Sequence, residues 1–253
     1  LVDNLQLLAP QLLALLSPHE PAGIRAIAVL EGNMPGRIFV DDPTNPIWVV
    51  LQETVYGTIY PSGALPFPVL AELIPRLRHD SEVLFGLCLD DPRTSDLLSL
   101  HPEYDGRVLD FFDRSAGQGL DAYLTPIPDG CEIHPVDTEL YKRLADYDPR
   151  TADYALEKGL GVCLMRGENI LCEAFAGYLA RDILEMGVTT HKPYEGRGYG
   201  TLTCAHLVQA CEARGFQTYW NCNTQNIASM KIARKLGYRI EKEYRLLYWS
   251  KSG

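Results

Sequence analysis

The chain is predicted to be an α/β protein, and three stretches predict it. Ile183 to Thr190 reads as a strand, because Ile183, Val188, Thr189 and Thr190 supply apolar and β-branched positions. Directly after it Gly196, Gly198 and Gly200 alternate in a loop, and Leu202, Ala205, His206, Leu207, Ala210 and Cys211 then recur at helical spacing. Upstream, residues 161–166 and 170–178 flank Gly167-Glu168-Asn169, a hairpin signal. Strand, glycine loop and helix in succession make an anion-binding arrangement. Glycines let several main-chain N–H groups converge on one point, and the positive end of the helix dipole adds to them. A diphosphate is the natural occupant.

From the start of the chain, residues 1–16 read as a helix ended by Pro18 and Pro21. Its apolar run is interrupted by Pro10 and no basic segment precedes it, so it is read as an amphipathic or buried helix rather than a signal peptide. Residues 24–30 are apolar and fit a strand or a helix. Residues 37–40, 47–52 and 55–60 are short strands between Pro, Asn and Gly turns. Residues 69–78 have helical spacing, against which Pro75 stands. Residues 83–88 are strand-like, 94–100 a short helix, and 108–112 and 122–125 further short strands. This order resembles a degenerate half of the fold read in the rest of the chain. It carries no glycine loop of the required kind and is expected to lack a cofactor site.

Pro126, Pro128, Gly130 and Pro135 mark a linker. The chain is therefore divided into an N-terminal α/β domain, 1–130, and a C-terminal domain, 131–253. Helical stretches at 138–144 and 152–158 precede the hairpin. The strand, the glycine loop and a helix over 200–214 follow, the helix ended by Gly215. A strand over 217–221, a helix over 226–236 stopped by Gly237, and a last strand or strand pair over 239–249 complete the order.

Composition narrows the function. No apolar run is long enough to span a membrane, so no membrane partner is expected. Seven cysteines are scattered without a C-x-x-C pair, which argues for reduced thiols in the cytoplasm, each a small buried apolar residue. Net charge is −10, unevenly spread. From Arg181 onward 11 Lys/Arg face 6 Asp/Glu, a balance of +5, while the preceding 180 residues hold 12 and 27, a balance of −15. The basic excess lies with the phosphate loop, as a polyanionic ligand favours. The acidic remainder argues against nucleic acid. The six histidines show neither H-x-x-x-H nor H-x-H spacing, so no metal site is expected.

A Rossmann turn would lead to a parallel strand with an acidic end about 20 residues on. Here the next strand runs into Asn221-Cys222-Asn223, and the Walker Lys-Ser/Thr is missing. Instead, Glu195-Gly196-Arg197-Gly198-Tyr199-Gly200 resembles the acetyl-CoA loop of the GNAT superfamily of N-acyltransferases, Q/R-x-x-G-x-G/A, with Glu195 where Gln or Arg is usual. Downstream, Asn226 to Ser229 followed by Lys235-Leu236-Gly237-Tyr238 resembles the N-x-x-A/S…K-L-G-F/Y segment of the same superfamily. Glu185 to Thr190 and Tyr219-Trp220 look like a bacterial subgroup with an added N-terminal half.

The resemblance implies a mixed, mainly antiparallel central sheet flanked by helices, and acetyl-CoA as cosubstrate. It implies that the edge of Val188–Thr190 pairs with the pantetheine arm, with the thioester against main-chain N–H groups near Gly187 and Val188. The amides of Arg197, Gly198, Tyr199, Gly200 and Thr201 would hold the pyrophosphate, with charge from Arg197 or Lys192. Asn226 would contact the pantetheine amide, with Ser229 alongside.

Acyl transfer to an amine needs a base for the amine, donors for the oxyanion and a proton for the leaving thiol. Glu185 is the expected base and Glu173 the second candidate; the rival reading of Glu185 is a surface or ion-paired glutamate at a strand edge. The superfamily's usual acid, a tyrosine, falls at Ala233, so Tyr194, Tyr199, Tyr178 or water would serve. Tyr219, Trp220 and Tyr238 are read as core or wall residues, His191 as a turn residue and His206 as packed. The function expected is transfer of an acetyl group to a primary amine of a small molecule or peptide. Its alternative is a non-catalytic acyl-CoA-binding or scaffold protein, which Ala233 and Glu195 motivate. A homodimer paired through the final strands is open.

Overall fold

The structure is a computed structural model that describes residues 11–252 apart from 22, 113, 115–118, 146, 151 and 159. The chain folds into two units, one of residues up to Leu109 together with Lys242 onward, the other Asp110–Glu241. In the first unit residues 11–15 are helical; the earlier part of the helix expected over 1–16 lies outside the described residues. The run left open between strand and helix is helix α1 (Gly23–Leu30), buried at Ile24, Ala26, Ile27, Ala28, Val29 and Leu30. A helix that is apolar at every position but Gly23 and Arg25 belongs inside a fold.

Strands β1 (Gly36–Val40), β2 (Trp48–Glu53) and β3 (Thr58–Gly63) pair antiparallel in that order. β3 begins later than the sequence suggests. The buried Glu53 carboxylate accepts the N–H groups of Val55 and Tyr56 and so turns 53–57 into a loop. Helix α2 (Phe67–Asp80) buries Leu70, Ile74 and Leu77. Pro75 sits on its exposed face, where the hydrogen bond it forgoes leaves a carbonyl to water. β4 (Val83–Cys88), helix α3 (Thr94–Leu98) and β5 (Tyr104–Phe112) follow. The core gathers Val50, Ile59, Leu70, Ile74, Phe85 and Trp249, whose Nε1 donates to Leu100 O at 2.9 Å.

In the second unit the residues expected as a strand over 122–125 form helical turn α4 (Asp121–Leu124). The side chains there are exposed or half-buried, so no sheet face draws them in. His206 Nε2 meets Leu124 O at 3.2 Å, and burial lowers the His206 pKa. The expected linker contains β6 (Glu132–Pro135), an edge strand on which Pro135 is tolerated. After helices α5 (Thr138–Tyr141) and α6 (Ala152–Lys158) come β7 (Leu160–Arg166), β8 (Asn169–Ala180) and β9 (Ile183–Thr190). These are antiparallel neighbours, with Gly167-Glu168 as the tight turn between the first two. Helix α7 (Tyr199–Ala213) leads to β10 (Gln217–Asn223), parallel to β9, and helix α8 (Ile227–Lys235) leads to β11 (Arg239–Trp249).

The two halves of the chain repeat one order: three antiparallel strands, a helix, a strand parallel to the third, a helix and a last strand. No sequence repeat announces this. The last strands also change units. β5 begins in the first and enters the second at Asp110, beside β10, whereas β11 enters the first at Lys242 and pairs antiparallel with β4. The sequence reading divides the chain after residue 130; the units found here part at Leu109 and exchange their final strands.

Arg114 ties the second unit together. Its side chain is 2% exposed, pairs with Glu212 of α7, and donates from Nε to Leu236 O at the end of α8 at 2.8 Å. Arg114→Ala removes the cation from a nearly dry pair, and breaking such a pair costs about 3–5 kcal/mol. Urea unfolding at neutral pH is expected to show a loss of that size, and a loss below about 1 kcal/mol would contradict the pair's structural role.

Candidate active site

β9 and β10 pair in parallel at Ile183↔Gln217, Leu184↔Thr218, Glu185↔Tyr219 and Met186↔Trp220, and nowhere beyond. Both strands continue, β9 to Thr190 and β10 to Asn223. The sheet therefore splits after Met186, and the edge of β9 from Gly187 to Thr190 that faces away from β8 has no strand beside it. A strand edge without a neighbour offers main-chain donors and acceptors to an extended ligand.

The glycine turn lies at the open end of this split. Gly196 and Gly198 have φ of +74° and +82°, and Gly198 caps α7 in the left-handed region. Side chains are disfavoured there and glycine is not. The first intrahelical bond runs from Leu202 N to Gly198 O at 3.1 Å. Among the described residues, the N–H groups of Gly196, Arg197, Gly198, Tyr199, Gly200 and Thr201 meet no protein acceptor. A Cβ added at Gly196 or Gly198 would meet nothing within 4 Å, so the space over these donors is open. A Cβ at Gly200 would meet Thr190 Oγ1 at 3.3 Å and the end of the Ile232 side chain at 2.9 Å, so glycine there lets α7 close on β9 and α8. Tyr199 and Thr201 are buried and can serve this site through their amides alone. Arg197 is exposed and stands over the Tyr194 ring, 5.8 Å from its centroid; Lys192 and Glu195 are exposed as well.

Strand alternation sorts the rest by face. Leu184, Met186, Val188 and Thr190 share the side of β9 that packs on α7, with Thr190 Oγ1 3.3 Å from Cys172 Sγ. Glu185, 9% exposed, points to the opposite side, beside Tyr219 on β10 and Tyr178 on β8. The register of β8 shifts between Ala176 and Tyr178, a bulge at the level of Glu185. Bulges re-aim side chains and recur beside functional sites. Of the tyrosines considered as an acid, Tyr178 is brought to Glu185, whereas Tyr194 and Tyr199 pack with Leu202 and Cys172 on the helix side.

Glu173 is otherwise engaged. It accepts Ala145 N at 2.7 Å and lies 3.3 Å from His191 Nε2, which fastens the segment after α5 to the sheet. Asn226 caps α8 by accepting Ser229 N at 3.0 Å, and Ser229 Oγ accepts Trp220 Nε1 at 2.9 Å. Both thus hold the β10–α8 turn beside the split. Ala233 is fully buried, and Tyr238 donates its hydroxyl proton to, or accepts one from, Thr218 Oγ1 inside the core, where burial raises its pKa.

The sequence reading missed Asp110. Fully buried on β5, its Oδ1 accepts the Tyr219 hydroxyl and, at 2.7 Å, Asn221 Nδ2. Its signal was an aspartate in the middle of the apolar run Val108-Leu109-Asp110-Phe111-Phe112. Tyr219, read as a wall residue, belongs to this polar network.

The first unit offers a contrast. There β3 and β4 pair at Thr58↔Leu84 and Ile59↔Phe85 and then part in the same way. Ser62 Oγ of β3 donates to Leu15 O, and a Cβ on Gly86 of β4 would press on Pro21, so residues 15–21 lie across that split. The turn into α2 carries Pro66 and Pro68, which have no N–H to offer. Among the described residues no three His, Cys, Asp or Glu side chains gather closely enough to hold a metal ion, and no helix is long and apolar enough to cross a membrane.

Known proteins share this architecture. A Streptococcus suis GCN5-related N-acetyltransferase-like protein superposes with a TM-score of 0.69 at 21% identity, over 88% of this chain and 92% of its own. A tandem GNAT protein from the clavulanic acid biosynthesis pathway does so at 0.63 and 11% identity, over 97% and 95%. In sequence, the Bacillus subtilis protein described as uncharacterized N-acetyltransferase YdfB is 28% identical over 91 residues. That stretch is 36% of this chain and 35% of the relative's length. The family model described as GNAT acetyltransferase matches residues 22–247. With a match that spans nearly the whole chain, the protein belongs to the GNAT acetyltransferase family.

Proposed function

We propose that the protein transfers an acetyl group from acetyl-CoA to a primary amine by direct attack on the thioester. One observation carries the reading: the split between β9 and β10 joins a row of unengaged N–H donors at the start of α7 to a buried carboxylate, Glu185. The residues present fit the cosubstrate. Amides 196–201 suit a pyrophosphate, and the bare edge of β9 suits the amide-bearing pantetheine arm. Acetyl-CoA, when bound, supplies an activated acyl group with a thiolate as leaving group.

The chain supplies the rest. Glu185 takes the proton that the amine must lose to attack. The N–H groups of the β9 edge near Gly187 and Val188 receive the carbonyl oxygen as it becomes an oxyanion. Tyr178, on the face that Glu185 shares, is the tyrosine we assign to return a proton to the thiolate. The acceptor is a small-molecule or peptide amine. The cytoplasmic assignment rests on seven cysteines without a disulfide, six of them buried.

Calorimetric titration with acetyl-CoA, with ATP and NAD as controls, tests the reading. Micromolar binding of acetyl-CoA alone is expected. Equal or tighter binding of either nucleotide, or none of acetyl-CoA, would sink it. Binding without turnover over a broad amine panel would favour the non-catalytic alternative.

A further inference from the structure

We propose that Asp110 is a positioning residue of this site, acting through Tyr219 and Asn221 to orient the incoming amine. The inference rests on the acetyltransferase reading and adds to it residues outside the expected machinery. Asn221 is the first residue of β10 beyond the last pair with β9, so it stands at the throat of the split. It lies two residues after Tyr219, hence on the face that Glu185 shares. Its amide has a fixed sense. Nδ2 donates to Asp110 Oδ1 at 2.7 Å and lies 3.1 Å from the Tyr219 oxygen, which turns Oδ1, across Cγ, away from Asp110. Tyr219 in turn donates its hydroxyl proton to the same Asp110 oxygen, and its ring is braced by Phe112 with centroids 4.5 Å apart. Asp110 is fully buried and Tyr219 1% exposed, so this wiring is rigid.

A carbamoyl oxygen held at the throat is an acceptor for an N–H of the attacking amine. It would aim the nitrogen lone pair while Glu185 takes the proton, and orientation of this kind raises rate without altering cosubstrate binding. This gives the crossing of β5 into the second unit a role: the strand that ends the N-terminal half brings the carboxylate that sets Asn221.

The test uses the full chain, acetyl-CoA, and spermidine, L-lysine and kanamycin as probe amines, with released thiol as the readout. Asn221→Ala, Tyr219→Phe and Asp110→Leu are each expected to lower kcat/KM for the amine about tenfold or more, the worth of one oriented hydrogen bond, with the acetyl-CoA Kd within twofold of the parent. Asp110→Asn keeps an acceptor oxygen and should restore most of the activity lost in Asp110→Leu. Adding Asp110→Leu to Asn221→Ala should cost nothing further in kcat/KM, since the two act as one unit. If Asp110→Leu does not fold, the Tyr219→Phe with Asn221→Ala cycle decides in its place. Additive losses, losses that follow the thermal midpoint and not the amine parameters, or kcat/KM within twofold of the parent would overturn the proposal alone. A parent that binds no acetyl-CoA and releases no thiol would overturn the acetyltransferase reading and this proposal with it.

Discussion

Glu185→Gln is expected to lower kcat by about 100-fold or more, the usual worth of a positioned base, with the acetyl-CoA Kd unchanged. Glutamine has nearly the shape of glutamate and can keep the strand packed at a position only 9% exposed. It cannot take a proton. On the proposed reading the cosubstrate is held by main-chain groups of 196–201 and the β9 edge, none of which this change moves, so kcat should fall while binding holds. A pH series separates this from a packing defect. As pH rises toward the pKa of the amine, more acceptor arrives already deprotonated, and the deficit of the variant should narrow. Steady-state thiol release between pH 7 and 9.5 would show it. A kcat within about threefold of the parent, or a deficit constant with pH, would remove Glu185 from the role and leave Glu173 and water to be examined.

Much of this site was legible because its signals are local. Alternating glycines before apolar residues at helical spacing state a turn and a helix start, and both occur with Gly198 as the cap. The β-branched residues of 188–190 state a strand, and the strand is there. Errors arose where side chains or distant strands decide. The start of β3 is set by the Glu53 carboxylate reaching forward to Val55 and Tyr56, which no period reveals. Residues 122–125 carry apolar character but have no sheet to join, so they close a helical turn. The exchange of β5 and β11 depends on pairings more than a hundred residues apart, such as Tyr244↔Cys88. The split itself is a failure of two strands to pair past Met186 and Trp220, and a strand's residues do not say where its neighbour leaves it. Asp110 is the instructive miss. An aspartate amid Val, Leu and Phe violates the local pattern, and such violations gather at functional sites.

Gly198→Val should abolish most acetyl-CoA binding, and Gly167→Val shows why strain is not the cause. Both glycines lie in the left-handed region, Gly198 at φ +82° and Gly167 at +54°, and a Cβ at either would meet nothing within 4 Å. Forcing a β-branched residue into that region costs roughly 1–2 kcal/mol, so the two variants should lose similar stability in urea. Their surroundings differ. Gly167 turns the β7–β8 hairpin. Gly198 caps α7 amid the unengaged N–H groups of 196–201, so its new methyl groups stand in the open space over those donors. Losing two charge-assisted hydrogen bonds to a diphosphate at about 1.5 kcal/mol each weakens binding about 100-fold. Gly200→Ala should be milder, because its Cβ meets the movable end of Ile232 and its φ is ordinary. Calorimetry on the three variants and the parent decides. A large loss of affinity in Gly198→Val, at most a small one in Gly200→Ala and none in Gly167→Val, with unfolding free energies of the two valine variants alike, assigns the turn to the pyrophosphate. Equal losses in Gly198→Val and Gly167→Val would mean that acetyl-CoA reads the stability of the second unit and not the donors of this turn.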